Sequence, residues 1–214
     1  MPHKFIPLLA LFLLPLFSVA QKKKEPRKFD DTDRENFFRF GVKGGVNVNK
    51  IKGQSFQSGF SYNYQLGGLL QFNFSKRLGI QPEFNLVQAG GEFTDDPTDI
   101  YDDLFRDGGQ KKASLTYMEV PVLLNINVGQ SKHVKLQVGP AINFLLRQEV
   151  QQLVNNNSTL YKNTEFSAMG GLWIQLPLVH LGGRYKYGFT NINGIDNKET
   201  WRNQSIQVFV GLTF

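Results

Sequence analysis

Eight segments of this 214-residue chain alternate apolar and polar side chains, and this pattern constrains the fold more than any other feature. Successive side chains of a β-strand point to opposite faces, so each segment predicts a strand with one apolar face. Each segment is close to the roughly nine to eleven residues that a tilted transmembrane strand requires. The predicted strands are residues 38–48, 62–74, 78–86, 117–128, 134–146, 166–176, 179–189 and 204–214.

The connections between these segments alternate in length. Residues 75–77, 129–133 and 177–178 are short, whereas residues 49–61, 87–114, 147–165 and 190–203 are long and polar. Short periplasmic turns and long extracellular loops are typical of outer-membrane barrels, and bacterial barrels have an even number of strands. The sequence therefore predicts an all-β fold, namely an eight-stranded antiparallel up-and-down transmembrane β-barrel.

Two details qualify this fold. Pro82 and Pro121 fall inside predicted strands, where a proline removes a hydrogen-bond donor, so we expect β-bulges there. Aromatic side chains gather at the predicted strand ends, as in the girdles at the two membrane interfaces. The predicted outer girdle contains Tyr62, Tyr64, Tyr187 and Phe189, and the periplasmic girdle contains Phe38, Phe40, Phe72, Phe74 and Phe214.

The two chain termini carry expected targeting signals. Residues 1–20 have a basic start, an apolar run over residues 5–17 and small residues before Gln21. This pattern predicts a signal peptide cleaved between Ala20 and Gln21, since the run is too short to span a bilayer as a helix. At the other end, Phe214 closes the last strand, and we expect the barrel-assembly machinery to read it as the assembly signal. The predicted location is the outer membrane of a Gram-negative cell.

The predicted domains are the signal peptide (1–20), a basic periplasmic tail (21–37) and the barrel (38–214). The net charge is +6, and five basic residues cluster in the tail. Such a cluster is typical of a solvated leader; contact with anionic lipid, or with periplasmic or secretion-system proteins, is the alternative. Nucleic acid is not an expected partner, because no recognition motif accompanies the charge. The chain has no cysteine, which excludes disulfides, thiol chemistry and lipidation at the cleavage site.

Four stretches carry a resemblance to a known family: GVKGGVN at 41–47, YMEVPVLL at 117–124, VGP at 138–140 and GRYKYG at 183–188. With them, about residues 38–214 resemble the Bacteroidetes outer-membrane β-barrel family called PorT-like or "porin family". The resemblance implies an eight-stranded outer-membrane barrel. For the PorT member it implies a role in type IX protein secretion and gliding, whereas most members have no assigned function.

The inward faces of the predicted strands carry charges of both signs. Eight strands enclose a lumen just wide enough to be filled by side chains, so we expect a packed ion network in place of an aqueous channel. An arginine fork satisfies carboxylates best, which favours Arg184 as the partner of Glu83 and Glu119. A narrow gated path for ions or small solutes is the alternative. The predicted network contains Arg39, Lys43, Glu83, Glu119, Lys135, Arg184 and Lys186.

Other candidate chemistry is weaker. An acidic stretch in the second long loop offers hard oxygen ligands for Ca²⁺, although its spacing matches no EF-hand and acidic loops are commonly only solvated. It contains Asp95, Asp96, Asp99, Asp102 and Asp103. Histidine is nearly absent and is not placed for a Ser-His-Asp triad, so neither an enzyme nor a cofactor is expected. The predicted role is structural or accessory in the envelope, with the extracellular loops as the interaction surface.

Overall fold

The computed structural model describes residues 36–57, 59–93, 112–128, 133–151, 160–196 and 198–214. The chain divides into a first unit, Met1–Asp33, that lies wholly outside the described residues, and a second unit, Arg34–Phe214, that holds all the described structure. The predicted signal peptide, nearly all of the basic tail and the acidic stretch 95–103 also lie outside the described residues.

Eight antiparallel strands form a closed barrel in which each strand pairs with its neighbours in sequence and β8 pairs with β1. No helix in the described part of the chain is long and apolar enough to cross a membrane. The strands are β1 (Phe38–Lys52), β2 (Ser61–Asn73), β3 (Leu78–Glu92), β4 (Lys112–Asn127), β5 (Val134–Val150), β6 (Thr164–Gln175), β7 (Val179–Gly188) and β8 (Arg202–Thr213).

The alternation in the sequence places polar side chains inside the barrel and apolar ones outside. On β8, Gln207 is fully buried in the lumen, whereas its neighbours Ile206 and Val208 are about half exposed. The same pattern around the barrel produces a continuous apolar outer surface, which we call the apolar band. A soluble monomer rarely exposes such a surface, whereas a barrel surrounded by lipid requires one.

Aromatic rings gather at both ends of the apolar band. We call the end that carries residues 74–77 and 176–178 the turn end, and the opposite end the loop end. At the turn end, the rings of Phe40 and Phe214 lie 5.5 Å apart and those of Phe38 and Phe72 lie 5.3 Å apart. At the loop end, Tyr62 and Tyr64 are well exposed.

The strands differ from the sequence prediction mainly in length. β3 reaches Glu92, β4 begins at Lys112 and β5 reaches Val150, so parts of the predicted loops 87–114 and 147–165 are strand. The prediction of β-bulges at Pro82 and Pro121 is wrong. The register is the same on both sides of each proline, and only a few ladder pairs are interrupted. Within the described strands, the register shifts at Thr116/Tyr117 instead.

At the loop end, β2 separates from β3. Their pairing ends at Gln65 and Val87, although both strands continue beyond these residues. Buried asparagines of β1 provide hydrogen bonds to β3 there: Asn47 donates to the carbonyl of Gln88 (2.7 Å), and Asn49 donates to the carbonyl of Gly90 (2.7 Å). The Gly90 amide donates in return to Asn49 (3.0 Å). Side chains thus partly replace the missing backbone ladder.

A cluster of buried apolar residues covers the lumen at the loop end. Its centre is Trp201, whose ring lies 5.1 Å from that of Phe56, 5.8 Å from that of Phe93 and 5.5 Å from that of Tyr161. We call this cluster the aromatic cap. Its members come from strand ends and from connections predicted to be polar loops: Ile51, Phe56, Ala89, Phe93, Ala113, Leu115, Tyr117, Leu160, Tyr161, Ile192 and Trp201.

Candidate functional site

Glu83 lies at the centre of a fully buried group of charges in the lumen. The Arg184 guanidinium donates through both terminal nitrogens to the two Glu83 carboxylate oxygens, each at 2.8 Å. Lys43 donates to the same carboxylate at 2.7 Å. The three residues come from β3, β7 and β1, so the ion cluster connects strands from different parts of the barrel wall.

Neutral amides complete the hydrogen bonding around these charges. Gln137 accepts from Arg184 Nε (2.9 Å) and donates to Asn125 (2.7 Å). Gln81 donates to Glu83 (2.7 Å) and accepts from Asn125 (2.8 Å). An arginine and a carboxylate are costly to bury unless their polar atoms are paired, and these amides supply the pairing.

The aromatic ring of Phe209 packs against both cations of this cluster. Lys43 Nζ lies 4.4 Å and Arg184 Cζ lies 4.6 Å from the ring centroid, which is within the range of cation–π attraction. Two glycines leave the space for this packing. A Cβ on Gly171 would lie 2.7 Å from Arg184 Cα, and a Cβ on Gly182 would lie 2.6 Å from Phe209 Cζ.

A second group of charges lies around Glu119. Lys186 is 3.2 Å from Glu119 Oε2, and Gln207 donates to both Glu119 oxygens at 3.2 and 3.3 Å. Asn85 donates to Glu83 (3.1 Å) and more weakly to Glu119 (3.4 Å), which connects the two groups. Glu165 is also fully buried in the lumen.

The structure brings together five of the seven residues predicted for the ion network, namely Lys43, Glu83, Glu119, Arg184 and Lys186. Lys135 is buried in the lumen near the turn end. Arg39 lies at the turn end and donates to the backbone carbonyls of Pro177 (3.1 Å) and Thr213 (3.5 Å), so it is not part of this network.

Several lumen residues were missed by reasoning from the sequence. The predicted loop 147–165 includes Glu165, whereas the structure has it in β6, where the alternation of Phe166 and Ala168 extends back to place it inside. The period of two places the amides Gln81, Asn125 and Gln137 on inward faces, but it does not indicate that they complete the hydrogen bonding around the buried charges. Near the turn end, Trp173 stacks on His180 with centroids 4.1 Å apart, and the His180 ring bonds Thr213 at 2.6 Å. No sequence pattern indicated this stack.

The aromatic cap is held in place by polar contacts between two connections. The Ser55 amide and hydroxyl donate to the Glu199 carboxylate at 3.0 and 2.6 Å. The Asn191 side chain accepts a hydrogen bond from the Trp201 amide at 2.8 Å. The Ile192 amide donates a hydrogen bond to the Trp201 carbonyl at 2.9 Å. Burial within the cap raises the pKa of Tyr161 well above its usual value. These contacts fix the described loop residues over the lumen.

This arrangement can hold opposite charges at fixed positions out of contact with water. Among the described residues, no group of three or more His, Cys, Asp or Glu side chains could hold a metal ion. The aspartates predicted to bind Ca²⁺ are not among those residues. The geometry is that of a packed barrel interior, in which each cation of the Glu83 cluster contacts the carboxylate directly.

Comparisons with known proteins agree with this architecture. No curated protein sequence matches the chain. Among solved structures, OprG of Pseudomonas aeruginosa is 12% identical with a TM-score of 0.50, covering 85% of this chain and 98% of its own. Ail of Yersinia pestis, solved with the heparin analogue sucrose octasulfate, is 11% identical with a TM-score of 0.49, covering 84% and 100%. Neisserial surface protein A is 11% identical with a TM-score of 0.48, covering 84% and 98%.

At 12% identity, the likeness to OprG concerns the fold alone. The family model described as "outer membrane protein beta-barrel domain" matches residues 19–194, which is most of the chain. This match implies a location in the outer membrane, where the apolar band meets lipid. The chain therefore belongs to the outer membrane protein β-barrel domain family.

Proposed function

We propose that this protein is a non-enzymatic outer-membrane barrel with a structural or accessory role in the envelope, and that its loop end is the interaction surface. The observation that supports this proposal best is the filled lumen. The Glu83 cluster occupies the middle of the barrel, and the aromatic cap covers its loop end. A solute would have to displace buried ion pairs to pass.

Planar-bilayer recording tests the closed lumen. We expect the purified protein to insert without discrete conductance steps, while a general porin in the same membrane conducts. Steady conductance by the wild-type barrel would contradict a closed lumen and would support the alternative of a narrow solute channel.

The envelope role needs a cellular test. The expected partners of the barrel are outer-membrane lipid and the barrel-assembly machinery, since the apolar band requires insertion. We expect the protein in the outer-membrane fraction, with heat-dependent gel migration, and we expect its deletion to sensitise cells to detergent. Recovery as a soluble periplasmic protein would contradict the proposal.

A second candidate function is that of a PorT-like accessory of type IX protein secretion. The supporting observation is in the sequence: the tail 21–37 carries Lys22, Lys23, Lys24, Arg27 and Lys28, and the turn end where the barrel begins is the predicted periplasmic side. Pull-down with the full chain and with a chain lacking residues 21–35 tests it. Loss of periplasmic partners with the tail supports the candidate function, and unchanged partners would rule out a tail-dependent role.

A further inference from the structure

Two positive charges face each other across the seam between β1 and β8. Lys52 and Arg202 are direct cross-strand partners, and both side chains are exposed on the outer surface. Like charges placed directly opposite each other destabilise an antiparallel pair. Arg202 also donates a hydrogen bond to the Tyr187 hydroxyl of β7 at 3.2 Å, in a contact that is itself exposed.

A concave surface surrounds this pair. It is a shallow depression that is wide open to solvent, and Lys198 joins Lys52 and Arg202 in its lining. The acidic residue in the lining, Glu199, is nearly buried and accepts from the Ser55 amide and hydroxyl. The exposed Lys198 ammonium lies 3.8 Å from the Asp196 carboxylate, which is a long distance for an ion pair. The lining therefore presents an excess of positive charge.

The position of this surface relative to the apolar band is well defined. Moving from Lys52 along the outer face of β1 leads to Lys50 and then to Val48, which pairs with the exposed Ile206. At about 3.3 Å per residue, the charge pair lies roughly 13 Å beyond that apolar pair. Because the strands of a transmembrane barrel are tilted, this distance along the strand is an upper limit on the difference in height. The cations thus lie beyond that apolar pair, toward the loop end.

We propose that Lys52, Lys198 and Arg202 form a binding site for a phosphate group. An arginine fork and two lysines satisfy the oxygens of a phosphate, and the bound anion removes the repulsion between the paired cations. The phosphate belongs either to the headgroup of an outer-leaflet lipid or to a soluble phosphorylated molecule. The site lies outside the lumen and does not depend on whether the barrel conducts.

The test uses the full mature chain in uncharged detergent micelles. Inorganic phosphate is titrated in one arm and short-chain phosphatidic acid in the other, with calorimetric detection. We expect K52Q/R202Q to weaken binding at least tenfold. The matched control, K162Q/R77Q, removes two exposed charges elsewhere and is expected to bind like the wild type. Tighter binding of phosphatidic acid than of inorganic phosphate identifies a lipid source, and equal binding identifies a soluble one.

A second measurement separates binding from folding. Because K52Q/R202Q removes the cross-strand repulsion, its melting temperature without phosphate is expected to equal or exceed that of the wild type, and phosphate is expected to raise only the wild-type value. Failure of both probes to bind the wild type, or equal weakening in the control, would overturn the proposal.

Discussion

At the scale of single residues, two buried cations, Lys43 and Arg184, depend on the Glu83 carboxylate. The substitution Glu83→Gln leaves Lys43 and Arg184 buried without the carboxylate that contacts them directly. Breaking a buried pair in this way costs about 3–5 kcal/mol. We therefore expect a loss of that size in urea unfolding of the protein in micelles, followed by tryptophan fluorescence.

The matched control for this substitution is Glu149→Gln. Glu149 forms an ion pair with Arg147 in which both side chains are largely exposed. Exposed pairs contribute less than about 1 kcal/mol, so the unfolding midpoint should hardly change. Similar losses for the two variants would show that the Glu83 cluster has no special role in stability.

Adjacent glycines provide a second residue-level prediction. In Gly171→Ala the new Cβ would lie 2.7 Å from the backbone of Arg184, whereas in Gly170→Ala the nearest heavy atom is 3.8 Å away. Backbone cannot move aside easily, so we expect Gly171→Ala to destabilise the barrel by about 1–3 kcal/mol and Gly170→Ala to be nearly neutral. Thermal unfolding of both variants measures the difference, and equal melting temperatures would contradict it.

For single residues, the sequence predicts which side chains face the lumen, but it does not predict which of them contact one another. A period of two determines the face of a strand, which is why Arg184 and Glu83 could be expected to meet in a narrow barrel. It does not determine height along the barrel axis, which depends on register. Arg39 faces inward as expected, yet it lies at the turn end, where its nearest acceptors are backbone carbonyls.

Among the strands, β2 and β3 form the least regular junction. The Asn49 side chain makes two hydrogen bonds with Gly90 and accepts a third from Asn63 at 2.8 Å. In Asn49→Ala the Gly90 amide loses its acceptor, so we expect its hydrogen exchange to accelerate at least tenfold. The amide of Leu86, at a residue that pairs with Leu66 on β2, serves as the internal control. Unchanged exchange at Gly90 would show that another group protects it.

The end of β8 supplies a prediction about assembly. The amides and carbonyls of Phe40 and Phe214 exchange two backbone hydrogen bonds, at 2.8 and 3.2 Å, and their rings are in contact. Deleting Phe214 removes all of these contacts, and we expect less heat-modifiable protein in the outer membrane. Phe74→Ala is the control, because it removes an exposed aromatic ring of the turn end and leaves the β1–β8 seam intact. Normal insertion of the shortened chain would contradict an assembly role for Phe214.

The existence and order of the strands were predictable, but their ends were not. β3, β4 and β5 continue past the expected membrane length, and the residues concerned include glycines and polar side chains, which weaken the alternation. The absence of bulges at the two prolines has a physical reason. Pro82 has no backbone N–H group to donate to the ladder. The neighbouring residue pairs on both sides keep the same register, so no extra residue is inserted into the strand.

For the molecule as a whole, the aromatic cap was the main feature that the sequence did not reveal. The long connecting loops have no periodicity, so Phe56, Tyr161 and Trp201 could not be assigned a common location before the barrel brought their loops together. The clustering of large apolar residues in otherwise polar loops was the available signal. It indicates burial, but it does not indicate which loops meet.

The cap gives a prediction on global stability. Trp201 is fully buried at its centre, and Trp201→Ala leaves a large cavity that costs about 3–5 kcal/mol. Phe60→Ala, which removes an exposed ring nearby, should cost far less. Urea unfolding in micelles compares the two variants. A small effect of Trp201→Ala would mean that the cap collapses around the gap.

The arrangement of the Glu83 cluster also bears on how the barrel folds. Its carboxylate and two cations come from β3, β1 and β7, and Phe209 of β8 packs against them. In an open sheet these groups remain hydrated and far apart. They can leave water together only when β8 meets β1, so neutralisation and closure become a single cooperative step. Partly assembled barrels then retain a hydrated, charged inner face, which disfavours their passage into lipid before the last strand is in place.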